Sequence, residues 1–272
     1  MPNPPSPGGL RLPAAHGMWA PLEVVASTGS TNADLLARAV RDPDAAAGQV
    51  LVAEEQTAGR GRLGRSWSSV PGASLTFSVL LRPASVPPHR RGWLPLLAGV
   101  AVASAVRSAA AVDAVLKWPN DVLAGDRKLA GILAEQAPAG AAVVLGIGIN
   151  VATPAAALPV SPAGLPATSL LAEGAVVSRE TLLLQVLDQI ERWYTAFLAD
   201  PDPARAGLLD AYRSLCATLG QAVRVELPSG PVLAGLARDI DADGRLLVAG
   251  DAGEGGERVT AVSAGDVVHV RG

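Results

Sequence analysis

The sequence predicts an α+β fold, a mixed sheet with helices packed on it, followed by a small C-terminal β-barrel. Three observations carry this. Strand-like and helix-like segments alternate through the first 215 residues. One long segment, 178–198, sets Leu182, Leu183, Val186, Leu187, Ile190, Trp193, Tyr194 and Phe197 on a single helical stripe. After Gly220 the texture changes to short β-rich runs split by "PSGP", "DADG" and "SAGD" turns.

In chain order, "LEVVAST" (Leu22–Thr28) reads as a strand. Residues 30–40 read as an amphipathic helix, with Thr31 as N-cap and Asp34 in the first turn. "QVLVAEEQ" (49–56) is a strand leading into a glycine–arginine loop at 59–65. Residues 74–82 form an apolar strand and 93–112 a buried helix, whose uncharged run at 93–106 is short of a membrane span. "AVLKWPND" (114–121) is a strand cut off by Pro119. Segments 130–136 and 141–151 pair as strands around "APAG", and a Pro/Ala-rich loop covers 153–166. Helices follow at 178–198 and 203–215. The expected division is a flexible tail at 1–21 with no signal peptide, a main domain at 22–218 and the barrel at 219–272.

Composition narrows the function. With 272 residues, 49% hydrophobic and 17% charged, the chain has ample material for a core. A net charge of −3 argues against a general nucleic-acid or membrane binder. The single cysteine, Cys216, excludes an internal disulfide and a cysteine-cluster metal site. His16, His89 and His269 have no metal-ligand spacing, so zinc is not expected. The reading is a soluble, cytoplasmic protein.

Two oddities point to an anionic ligand. Only two of the 22 basic residues are lysine, Lys117 and Lys128, so a lysine kept against that bias is there as a compact ammonium. From Gln56 to Val112 there is no acidic residue, while Arg60, Arg62, Arg65, Arg82, Arg90, Arg91 and Arg107 fall there. A one-signed block within an acidic chain makes a local positive field. The barrel segment carries five arginines against eight acidic residues and is no nucleic-acid reader.

"TAGRGRLGRSW" (57–67) spells G-x-G-x-x-G at Gly59, Gly61 and Gly64 after a strand. The dinucleotide reading fails, because the following "RSWSSVPGAS" has no helical period. No P-loop motif occurs in the chain. What remains is a plain surface loop or, favoured by three arginines with no acidic partner nearby, a loop whose glycines let the backbone come close and whose guanidinium forks close on an anion. "KWPND" (117–121) turns Asn120 and Asp121 out of the sheet at a strand end, and Lys128 of "RKLAGIL" sits at the start of an apolar strand. "GIGIN" (146–150) is a strand weakened by two glycines unless something approaches its backbone closely. Ser30, Thr31 and Asn32 serve as a helix cap, as ligand contacts, or both.

Together "STN", "EEQTAGRGRLGRSW", "KWPNDV", "KLAGILAE", "GIGINV" and "ATSLL" (167–171) resemble biotin–protein ligases of the bacterial biotin–[acetyl-CoA-carboxylase] ligase type. The likeness runs in order from about Val24 to the C-terminus. It implies a catalytic domain of class II aminoacyl-tRNA-synthetase/biotin-ligase type with an SH3-like C-terminal barrel. It also implies a two-step ATP-dependent ligation. The biotin carboxylate attacks the α-phosphate of Mg-ATP, giving biotinyl-5′-adenylate, and a carrier-protein lysine then takes the biotin and releases AMP.

By motif, the resemblance implies that Ser30, Thr31, Asn32 and Gln56 bind the biotin head. Arg60, Gly61 and Arg62 order around biotin and the adenylate phosphate, and Lys128 meets both reacting groups, with Arg62 and Lys128 as the catalytic pair. Arg65, Trp67, Asn120 and Asn150 belong to the nucleotide side, with a core role equally open for Trp67. Asp121 holds Mg²⁺ or orients Lys128. The implied partner is a biotin carboxyl carrier protein or domain, and a homodimer is left open. Only about twenty residues precede the first strand, too few for a three-helix DNA reader, so no DNA binding is expected. The rivals are a lipoate or octanoate enzyme on the same fold, the latter needing Cys216 as nucleophile, and a non-catalytic biotin sensor.

Overall fold

A computed structural model of the chain describes residues 9–44, 46–138, 140, 142–158, 165–227, 232–251, 257–263 and 265–269. The "PSGP" turn and residues 1–8 of the expected tail lie outside these. The main sheet has seven strands: β1 (Leu22–Thr28), β2 (Val50–Gln56), β3 (Ser74–Leu81), β4 (Ala114–Lys117), β5 (Asp121–Ala124), β6 (Arg127–Gln136) and β7 (Val143–Asn150). Their order across the sheet is β1-β2-β3-β7-β6-β5-β4, with β1 and β2 parallel and every other pair antiparallel.

Strand alternation divides the sheet into two faces. On one, Leu75, Phe77, Val79 and Leu81 of β3 and Leu145, Ile147 and Ile149 of β7 join the main core with α2 (Trp93–Ala110) and α3 (Arg179–Ala199). Helix α2 carries no charge before Arg107 and is apolar all round, because the sheet lies on one side and α3 on the other. Residues 88–110 are therefore long and apolar enough to cross a membrane, yet most of that length is buried inside the fold. On the opposite face α1 (Thr31–Arg41) packs Leu35 and Ala39 on Leu51, Ala53, Leu80 and Val144. That short helix covers only part of its face, and the rest is left for a cavity.

Four sequence expectations are corrected. Ser30 rather than Thr31 is the N-cap of α1: its backbone is extended and its Oγ accepts from the Ala33 N–H, while Thr31 is already helical. The strand is cut off ahead of Pro119 as expected, β4 ending at Lys117 with Pro119 in a turn where no ladder donor is needed, but Asp121 does not turn out of the sheet: it opens β5 and pairs with Lys117. The described part of the expected tail packs onto the main domain. Leu10 and Trp19 are buried, the Trp19 indole donates to the Leu187 carbonyl at 3.1 Å, and the Leu10 N–H donates to Glu54 Oε1 at 2.7 Å. The last helix, α4 (Leu208–Leu215), is also shorter than expected.

The SH3-like C-terminal unit is a five-stranded antiparallel sheet of β8 (Ala222–Glu226), β9 (Leu233–Ile240), β10 (Leu246–Asp251), β11 (Glu257–Val262) and β12 (Asp266–His269), ordered β11-β10-β9-β8-β12. It is fastened to the turn between β4 and β5. The Trp118 N–H donates to Thr218 Oγ1 at 3.0 Å and its indole to the Gly244 carbonyl at 3.1 Å. The Trp93 indole and Arg90 both donate to the Ala242 carbonyl, at 3.0 and 2.7 Å. The receiving "DADG" turn is stiffened by Asp241, which accepts from the Asp243 and Arg245 N–H groups at 2.9 Å each.

A second link joins α4 to β9, where Arg213 grips Asp239 with two bonds, at 2.8 and 2.5 Å. The Arg213 guanidinium holds the Asp239 carboxyl below its usual range. A carboxyl lowered by folding stabilises above its unfolded pKa of about 3.9 and loses that contribution as pH falls through the lowered folded value. We expect Asp239→Asn to cost about 0.5 kcal/mol at pH 7, the scale of a half-exposed pair. Thermal melts should show the gap closing on acidification below that lowered value.

Candidate functional site

The register of the main sheet lays out a cavity floor on the face that α1 leaves open. Lys117 pairs with Asp121, Asp121 with Gly131, Gly131 with Gly148, and Gly148 with Thr76. Directly paired residues share a face, so one row across five strands runs from two charged groups over two glycines to a threonine. The next row, Leu133–Gly146–Ser78, lies toward α1.

Lys128 joins this face through a β-bulge. Leu123 pairs with Lys128 and Val122 with Ala130, which leaves Leu129 as the extra residue on β6. Regular alternation would put Lys128 on the face opposite Gly131; the bulge turns it to the same face. Its Nζ there lies 2.6 Å from Asp121 Oδ1.

The two β7 glycines have separate causes. A Cβ at Gly146 would run into the Asn32 amide, and one at Gly148 into the Trp67 indole. Trp67 therefore lies flat over the Gly131–Gly148 floor, with Lys128 Nζ 5.9 Å from its ring centre. Its indole nitrogen is buried without a partner, as is Oγ1 of Thr76 beneath.

At the far end the N-terminus of α1 supplies a neutral polar cluster. Thr31 donates from both its N–H and its hydroxyl to Gln56 Oε1, at 2.8 and 3.0 Å, and its Oγ1 lies 2.7 Å from Ser78 Oγ. Ser78 donates to Asn32 Oδ1 at 2.6 Å, and Asn32 donates to Glu135 Oε2 at 2.8 Å. Ser30, Thr31 and Asn32 are all buried.

The glycine–arginine loop closes the cavity from above as a compact turn. Gly61 donates to the Arg65 carbonyl at 2.6 Å and Arg65 back to the Arg62 carbonyl at 3.1 Å. Leu63 and Gly64 both have left-handed backbones, φ 55° and 74°. Arg62 donates to Asn120 Oδ1 at 3.1 Å, tying the loop to the β4–β5 turn, and Arg60 pairs with Glu135 at 3.3 Å.

Twelve of the thirteen expected residues thus line one cleft of about 850 Å³ counted out to its mouth: Ser30, Thr31, Asn32, Gln56, Arg60, Gly61, Arg62, Arg65, Trp67, Asn120, Asp121 and Lys128. Asn150 does not line it. It sits buried at the end of β7, its amide donating to the Thr168 carbonyl at 2.8 Å. Sequence reading passed over Lys117 and Thr76. Lysine scarcity marked both lysines, and the alternation Ser74, Thr76, Ser78 in an otherwise apolar strand marked a polar face. Among the described residues five cations, Arg60, Arg62, Arg65, Lys117 and Lys128, line the cleft against one carboxylate, Asp121. Among the described residues no group of three or more His, Cys, Asp or Glu is placed to hold a metal ion. The cleft suits a ligand with a neutral polar head at α1, a flat body on the glycine floor, and an anionic end among the cations.

Comparison with known proteins finds relatives along nearly the whole chain. The Biotin/lipoate A/B protein ligase family matches residues 24–151, and the biotin protein ligase C terminal domain matches 218–270. The chain is 47% identical over 265 residues to the biotin–[acetyl-CoA-carboxylase] ligase of Mycobacterium tuberculosis, covering 96% of this chain and 93% of that one. It is 32% identical to the ligase of the same name from Paracoccus denitrificans, covering 85% and 95%. The fold is similar to that of a biotin protein ligase from Aquifex aeolicus in complex with biotin and ATP, with a TM-score of 0.74, 28% identity, and coverage of 92% and 99%.

The floor can be tested without any ligand. Gly148→Ala should destabilise the protein by about 1–3 kcal/mol through overpacking against the indole. Denaturant melts should show little further cost of the same substitution in a Trp67→Ala background.

Proposed function

The chain belongs to the biotin protein ligases, and from that premise we propose how its cleft joins biotin to a carrier protein. The observation that carries the reading is the order of the cleft, with the α1 donor–acceptor cluster and the Glu135–Arg60 pair at one end, Lys117, Lys128 and Arg62 at the other, and Trp67 over glycines between. The biotin head sits against Ser30, Thr31, Asn32 and Gln56, which leads its carboxylate along the floor toward Lys128. That carboxylate attacks the α-phosphorus of ATP. The bond to the bridging oxygen breaks, pyrophosphate leaves, and biotinyl-5′-adenylate remains. The carrier lysine then attacks the acyl carbon, an amide forms, and AMP departs.

Two anions must meet in the first step, and Lys128 and Arg62 lower that cost where charge builds up. Asp121 holds the Lys128 ammonium in place. Arg60 and Gly61 close the loop over the mixed anhydride and keep water from it. Arg65, Trp67 and Asn120 face the nucleotide, while Asn150 stays outside the cleft and holds the Thr168 carbonyl at the end of β7. Among the described residues Asp121 is the sole carboxylate lining the cleft, which fits a Mg²⁺ that arrives with ATP, bound mainly by phosphates and water. Burial pushes the Cys216 thiol up from its usual range and keeps it a poor nucleophile, which disfavours an acyl-enzyme route.

The acceptor is a biotin carboxyl carrier protein or domain, and the setting is the cytoplasm. A homodimer and the boundary at residues 218/219 belong to the same proposal. So does the lack of a DNA-reading role.

Incubating a biotin-acceptor domain with the protein, Mg-ATP and biotin should add one biotin amide, read as intact mass and abolished by changing the acceptor lysine. A lipoyl gain in a parallel reaction with lipoate, and none with biotin, would overturn the substrate. Lys128→Ala should slow pyrophosphate release by about 100-fold with biotin affinity largely kept. For Arg62→Gly the expected signature is AMP released without carrier labelling, as the adenylate escapes and hydrolyses.

A further inference from the structure

Lys128 is held from behind by a ring of contacts that the reaction above does not use. The β6–β7 pairing begins only at Ala130, so at Lys128 the backbone has lost β7 as a partner. Residues 166–168 take its place. Lys128 donates to the Pro166 carbonyl at 2.7 Å, and its own carbonyl accepts from the Thr168 N–H at 2.9 Å. The fully buried Thr168 donates its hydroxyl to Glu173 Oε1 at 2.5 Å. The other carboxylate oxygen of Glu173 accepts from Arg127 at 2.9 Å, and Arg127 is the chain neighbour of Lys128, which closes the ring.

We propose that Glu173 is a positioning residue for Lys128, acting through Thr168 and Arg127 to lock the bulge at Leu129. A bulge is a local departure from the ladder, and a slip to regular register would send Lys128 to the opposite face, away from Asp121. The ring removes that freedom by fixing the backbone on both sides of the lysine while leaving its ammonium in the cleft. The proposal rests on the reading of Lys128 as the cation at the reacting centre.

The test is a double-mutant cycle on single-turnover pyrophosphate release with biotin and Mg-ATP. Glu173→Gln keeps the size of the side chain, and Thr168→Val removes only the hydroxyl. Each should slow the step by about 10-fold in the native background, with biotin affinity kept. Neither should slow it further in a Lys128→Ala background. Equal losses in both backgrounds would overturn the proposal. A Lys128→Ala protein as fast as the native one would instead remove the reading beneath it, and the proposal with it.

A readout independent of activity is at hand because the chain has only two lysines. Selective ¹⁵N-lysine labelling should give two side-chain ammonium signals, assigned with Lys117→Arg. In Glu173→Gln the Lys128 signal should broaden and exchange faster while that of Lys117 stays put. An unmoved Lys128 signal would count against the ring.

Discussion

The cleft depends on one constraint, the antiparallel register that lines up Lys117, Asp121, Gly131, Gly148 and Thr76 across five strands. Side chains alternate along a strand, so a slip of one residue between any two of these strands would carry part of the row to the core face. The core itself opposes such a slip. The other face of the same strands presents Phe77, Ile147 and Ile132 to α2 and α3, and moving the row would expose those side chains. Site and core are thus two readings of one register. Lys128 is the exception, brought to the site face by the extra residue Leu129.

The remaining parts are hung from that sheet. Trp67 settles where two strands have glycine, and the loop that carries it reaches the β4–β5 turn through Arg62 and Asn120. The same turn is held from outside by the C-terminal unit, through the Trp118 backbone and indole. Three chain segments far apart in sequence therefore meet at Pro119–Asp121. A shift of the C-terminal unit would be felt directly at Asn120 and Asp121, since the turn is short and well bonded on both sides.

Much of this was legible in the residues because it is local. Helical stripes, the change of texture after Gly220, and a glycine–arginine loop without acidic residues nearby are properties of short windows. The errors were local rules applied without knowledge of partners. Pro119 does break β4, but the rule that the next residues then leave the sheet fails at Asp121, which pairs with Lys117 and Gly131 in β5. The N-terminal prolines and glycines suggested a free tail, yet Leu10 and Trp19 find a place against β2 and α3 that no window could reveal.

The sequence by itself determined most of the elements, β5 excepted, which loop gathers the arginines, and which two lysines were kept in an arginine-rich chain. Those features follow from side-chain chemistry and spacing over a few residues. Only the tertiary structure decided that Lys117 and Lys128 share a cleft, that Asn150 faces Thr168 instead, and that the glycines of β7 answer to Asn32 and Trp67. Strand order and register set those neighbours, and they arise from pairing between segments distant in the chain, a quantity that no single stretch of sequence encodes.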